Sequence, residues 1–278
     1  MRTYANIIAL ILTCVASTSH AAPPRADDII DKAYRIERVD DQIATLNFTF
    51  SAPGKDKQEV IYTMVWKNMA GRDGYDNKAI FFTEYPPEKR GVAYLGWLRR
   101  PGSTAKDDEW IYLPELRMTR RIAHRDHAHA HDDDEFGNSL LKREHLDPRP
   151  PELDHHRLIG EEILEGRPHY LIASIPKQAA AQMPGMPHQS GKVIRWIDTE
   201  SFLTRRLQFF EQHGQEVLSM RIDWVEKDGY WLWRRVMATD PRTLANTVLE
   251  ISDIRINTNL DDRTFTKRVL EKGAERLR

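Results

Sequence analysis

Four histidines within eight residues, His124, His127, His129 and His131, run directly into Asp132, Asp133, Asp134 and Glu135. On an extended backbone His127, His129 and His131 share one side and could offer three nitrogen ligands to zinc or copper. On a helix His124, His127 and His131 share a face instead. The acidic run could complete such a site or orient its ligands. A segment so polar is by default a solvated, low-complexity loop, and no metal or other cofactor is expected.

Arg117, Arg120 and Arg121 form a second group, suited to a lipid phosphate or to a partner's acidic surface. The plainer expectation for them is a strand edge whose charges discourage edge pairing. Glu161 and Glu162 are adjacent in a segment of strand character. They therefore face opposite sides and cannot share acid–base work. The sequence holds no G-x-S-x-G, no H-E-x-x-H and no phosphate-cradling glycine loop, so nothing calls for an enzyme.

The elements that must carry these groups are mainly strands. Ala26 to Ile36 reads as an amphipathic helix, with Ile29, Ala33 and Ile36 at helical spacing and three aspartates in its first turns. Beyond it the period switches to two. Leu46, Phe48 and Phe50 alternate with Thr45, Asn47 and Thr49, and Tyr62, Met64 and Trp66 alternate with Ile61, Thr63 and Val65. Turn signals such as Gly166, Gly214 and Asp228-Gly229 separate further runs of strand length. Roughly a dozen strands with short connections argue for one antiparallel sheet, curled or stacked, and the lack of βαβ alternation argues against a doubly wound nucleotide fold. Two segments break the rhythm: the polar stretch 122–151, an insertion loop that contains the histidines, and the Ala/Met/Pro/Gly-rich stretch around Met183 and Met186. Met side chains adapt to varied apolar surfaces, so the second is a candidate lid.

The N-terminus reads as a processing signal over residues 1–21. Arg2 supplies the positive region, Ile7 to Ala16 the apolar run and Ser19-His20-Ala21 the cleavage site. Cys14, the one cysteine, falls within it, so the expected mature chain, 22–278, has no disulfide, thiol or Cys-zinc chemistry. With 41 Lys and Arg against 42 Asp and Glu, the charge is near balance and nucleic acid is not an implied partner.

Trp110, Tyr112, Leu113 and Pro114, followed by Arg117, Arg120 and Arg121, form a string that resembles the outer-membrane lipoprotein-sorting proteins, relatives of the periplasmic carriers LolA and LolB. The resemblance continues in order along the chain. It includes Phe81-Phe82 through Pro86-Pro87, Gly91 to Trp97, Phe136-Gly137-Asn138-Ser139, and Glu144 to Leu146. It resumes at Gly160 to Pro176 and Trp196-Ile197-Asp198, and closes at Leu260-Asp261-Asp262 with Phe265-Thr266 and Leu270. It implies a mainly β protein with flanking helices (α+β): a single half-barrel of roughly eleven antiparallel strands wrapped over helices, with an apolar cavity between.

Candidates for the cavity lining are the large apolar residues on alternating positions: Phe48, Tyr62, Met64, Trp66, Trp97, Trp110, Leu207, Phe209, Trp224, Trp231 and Trp233. For any one of them ordinary core packing is the better expectation. The function that the resemblance implies is a carrier for a lipid or an acylated lipoprotein in the periplasm of a Gram-negative bacterium. An inner-membrane exporter or an outer-membrane acceptor would be its partner. A metal-binding protein using the histidine loop, or an envelope sensor module, is the alternative.

Overall fold

In the computed structural model, which describes residues 24–36, 39–101, 103–122, 136, 139–147, 149–177 and 190–273, strand formation follows the two-residue period. In β1 (Asp41–Ser51) Leu46, Phe48 and Phe50 are buried while Thr45, Asn47 and Thr49 are only half-buried. The chain meanders outward through β2 (Gln58–Asn68), β3 (Asn77–Tyr85), β4 (Ala93–Leu98), β5 (Asp108–Leu113) and β6 (Met118–Arg121). A second meander comprises β7 (Asp154–Leu164), β8 (Arg167–Pro176), β9 (Ser190–Asp198), β10 (Thr204–Glu211), β11 (Glu216–Lys227), β12 (Tyr230–Thr239) and β13 (Asn246–Ile256). The two join where β13 pairs with β1, with Phe48 opposite Leu249, giving one open antiparallel sheet of 13 strands.

The expected number of about eleven strands is therefore too low. The short pairs β4–β5 and β5–β6 continue the first meander to the edge, and strands of four to six residues give little periodicity to count. Helices are few among the described residues. The described ones are α1 (Ala26–Ile36), with the bounds the sequence indicates, and two single turns, α2 (Arg143–Leu146) and α3 (Lys267–Leu270). No described helix is long and apolar enough to cross a membrane.

Topology dictates what fills the hollow. The strands β6 and β7 are consecutive among these strands yet stand at opposite ends of the described sheet, so the chain between them must cross it. Its described residues 136 and 139–147 lie on the inner face. Phe136 and Leu141 are buried there, with Leu140 and Leu146 packed beside them, against Phe48, Phe50, Phe209, Met220, Val236 and Leu249. We call this crossing segment the strap. The helix α1 covers the same face near β8 and β9, burying Ile29 and Ile30 against Ile172 and Ile197.

The outer face over β1–β5 is closed by the C-terminal segment. Phe265 and Leu270 are buried against Ile43, Val65, Ile80, Leu95 and Trp110. Asp41 anchors the approach to that segment: its carboxylate accepts hydrogen bonds from the Thr258 and Leu260 amides at 2.7 and 2.9 Å and from the Thr258 hydroxyl at 2.8 Å. Burial alone would raise the Asp41 pKa, but these bonds outweigh it and hold the carboxyl below its usual range. Asp41→Ala leaves three donors unsatisfied and is expected to cost about 3 kcal/mol, read as a lower urea midpoint.

Candidate functional site

The inner face of the half-barrel is the candidate site, and its centre is aromatic. The Phe136 ring stacks on Phe48 at 5.0 Å between centroids and meets Phe81 and Tyr62 edge-on at 5.7 and 6.0 Å. The Phe48 and Tyr62 rings meet edge-on at 5.9 Å. On the far side, His145 of the strap meets Phe209 at 5.1 Å. A single short stretch of chain thus touches both halves of the sheet.

Polar groups hold this apolar strap at defined points. Arg143 donates to Glu109 at 3.0 Å and to Asp107 at 3.2 Å, and the Tyr94 hydroxyl donates to the same Glu109. Glu109 is 3% exposed, so its charge depends on these partners. The position of Tyr94 depends on Gly96, where a β-carbon would fall 2.6 Å from the Tyr94 hydroxyl. Further along, Arg149 pairs with buried Asp154 at 2.7 Å, and the Leu140 amide donates to Thr247 Oγ1 at 2.9 Å.

His145 supplies a pH-dependent element. Burial, and secondarily the Lys142 charge, push its pKa down to about 4. Its Nδ1 accepts the Lys142 amide at 3.0 Å, a bond that requires the unprotonated nitrogen. Above the unfolded value of 6.5 the ring is neutral in both states, and the full stabilisation is present. As pH falls from 6.5 through about 4 the unfolded chain takes up a proton that the folded one refuses, and up to about 3 kcal/mol is lost. We expect faster amide exchange in residues 140–146 at pH 4.5 than at pH 7.5 after correction for intrinsic rates. His145→Gln should flatten that dependence.

The residues singled out in the sequence separate into groups. Phe48, Tyr62, Met64, Leu207, Phe209, Trp224 and Trp233 all belong to the inner-face cluster or pack against it. Trp66 lies on the same face by register, opposite Gln42 and Ala79, and is half-buried; Trp231 is half-buried opposite Glu226. Trp97 and Trp110 do not join them. They meet at 5.2 Å on the outer face, where Trp97 Nε1 donates to the Phe265 carbonyl at 3.0 Å. Strand alternation assigns that side, since Tyr94 and Ile111 take the inner positions.

The three arginines do not converge either. Arg121 pairs with Asp108 across β5, Arg120 alternates to the other face, and Arg117 occupies a left-handed turn with φ 46°. They mark the described sheet edge, as edge charges do. Met183, Met186 and the histidines 124, 127, 129 and 131 lie outside the described residues, as does the signal segment 1–21. Among the described residues no group of three His, Cys, Asp or Glu is placed to hold a metal ion.

Sequence reasoning places Phe136 and His145 in family motifs but gives no site role to them or to Leu141 and Arg143, because the segment 122–151 is predominantly polar. The available signal was four apolar residues, Phe136, Leu140, Leu141 and Leu146, scattered in that polar run.

A family model described only as that of an uncharacterized protein matches residues 75–272, most of the sheet. The chain belongs to that family. No curated protein matches the sequence significantly. Solved structures place this member among outer-membrane lipoprotein-sorting and LolA-type folds, as its sequence motifs indicated. A DUF1329 family protein from Desulfovibrio piger is 21% identical, with TM-score 0.72 over 88% of this chain and 97% of its own. A domain described as outer-membrane lipoprotein-sorting from Vibrio parahaemolyticus is 20% identical, with TM-score 0.70 over 88% and 98%. A LolA superfamily protein from Nitrosomonas europaea is 18% identical, with TM-score 0.60 over 89% and 100%. At these identities the likeness is one of fold.

Proposed function

We propose that this protein is a periplasmic carrier that holds the acyl chain of a lipid or lipoprotein against the inner face of its half-barrel, in the place the strap occupies. The observation that carries this reading is the strap itself: a continuous apolar surface on a curved sheet, covered by one crossing segment held by a few polar contacts. Such an arrangement suits exchange. Burying Phe136 and Leu141 fully and Leu140 and Leu146 in part contributes at most about 6–12 kcal/mol, at 1.5–3 kcal/mol for each full burial. An acyl tail of a dozen methylenes contributes about 10 kcal/mol by the same measure. The two occupants are near balance, so the polar contacts of Arg143 and Arg149 decide which one is bound. The described half-barrel relatives, one of them named for lipoprotein sorting, agree with this use of the fold.

The cycle is sequestration, passage through the aqueous compartment, and release to an acceptor when the strap returns. It needs no covalent step and no cofactor. Native mass spectrometry of protein purified gently from periplasm, with lipid extraction of the same sample, tests the reading. A co-purifying acylated species is the expected result. Protein that emerges empty and fails to bind a fluorescent fatty acid would overturn it.

A further inference from the structure

The outer face carries a second feature, at the opposite end of the sheet from the C-terminal cover. Over β7–β9 two isoleucines stand open to solvent, Ile159 at 40% and Ile175 at 50% exposure. Ile159 is the extra residue of a bulge in β7, which sets it off from the pairing pattern. Register places His155 beside Ile175, and Arg157 beside Ala173 and Ile194. Lys192 stands with its Nζ 4.5 Å from the Phe210 ring centre. These side chains surround a cavity of about 340 Å³ whose lining includes no carboxylate. Beyond that lining, Glu162 accepts the Trp196 indole N–H and Glu165 pairs with Arg221.

The patch is therefore apolar at its centre and cationic around it, and it lies over the last three strands at one end of the described sheet. Its volume is at the lower limit of small-molecule pockets, about 300–1,000 Å³, which suits a headgroup rather than a whole lipid. Apolar side chains combined with the charges of Arg157 and Lys192 give the two signals that stable attachment to an anionic membrane requires. We propose that this surface docks the protein on an anionic phospholipid bilayer, with phosphates against Arg157, Lys192 and His155 and with Ile159 and Ile175 among the upper acyl carbons. This docking does not rest on the carrier reading, since it uses the opposite face of the sheet.

Vesicle flotation tests it. The full protein should float with phosphatidylcholine vesicles containing phosphatidylglycerol and not with pure phosphatidylcholine. The double variant R157Q/K192Q should weaken partition about fivefold per cation removed. The double variant I159S/I175S, also at open positions, should weaken it at every salt concentration, and circular dichroism should show both variants folded. Absence of wild-type binding, equal binding to neutral vesicles, or wild-type partition in the charge variant would each overturn the proposal. If the isoleucine variant does not fold, the charge variant alone decides. None of these results alters acyl-probe binding measured without vesicles, so the carrier reading stands or falls separately.

Discussion

Arg143→Ala should weaken the fold and strengthen acyl-chain binding in the same protein. The substitution removes the cation that Glu109, 3% exposed, relies on, and uncovering one member of a buried pair costs about 3–5 kcal/mol. For a chain of this size that is a fall in melting temperature of roughly 6–15 °C. The loss is local to the strap, because Arg143 lies on it while Glu109 and Asp107 belong to β5 and its approach. Weaker strap docking leaves the inner face free for a longer fraction of time, so the dissociation constant for a fluorescent fatty acid should fall tenfold or more. Melting and probe titration on one preparation distinguish the readings. A lower melting temperature with unchanged or weaker binding would mean the strap is structural and no competitor of a ligand. Arg143→Lys should lie between, since an ammonium cannot reproduce the fork to both carboxylates.

Phe48→Ala is the second large effect, with the opposite sign for binding. Phe48 is fully buried at the centre of the sheet, stacked on Phe136 and edge-on to Tyr62. Truncating a buried phenylalanine costs about 3–5 kcal/mol, because the lost transfer energy is joined by that of a cavity. The strap above and β1 below are both anchored and can close little of that space. The expected result is a fall in melting temperature of roughly 6–15 °C together with weaker acyl-probe binding. A cost below about 1 kcal/mol by urea unfolding would show that strap and sheet do not pack as described. Comparing the two variants separates contributions: one removes a tie on the strap, the other removes surface that strap and ligand would share.

The sequence by itself determined the strand character and the face each residue takes, because a pleated strand alternates sides whatever its surroundings. The 3.6-residue period acts in the same way on α1, which appears with the bounds read from its spacing. Tyr112 and Trp110 share a face opposite Ile111 and Leu113, and Glu161 and Glu162 are parted for the same reason. Family motifs spread along the chain likewise indicated the half-barrel. Only the tertiary structure decided which face is inner. Trp97 and Trp110 alternate as well as Phe48 and Tyr62 do, yet the C-terminal segment covers the first pair and the strap the second. Local pattern says that two residues are on the same side and never what lies over that side. The strap shows this most plainly. Phe136, Leu141 and Arg143 have no periodic neighbours to reveal them, and they are positioned because a chain leaving one edge of a curled sheet must cross it to reach the other.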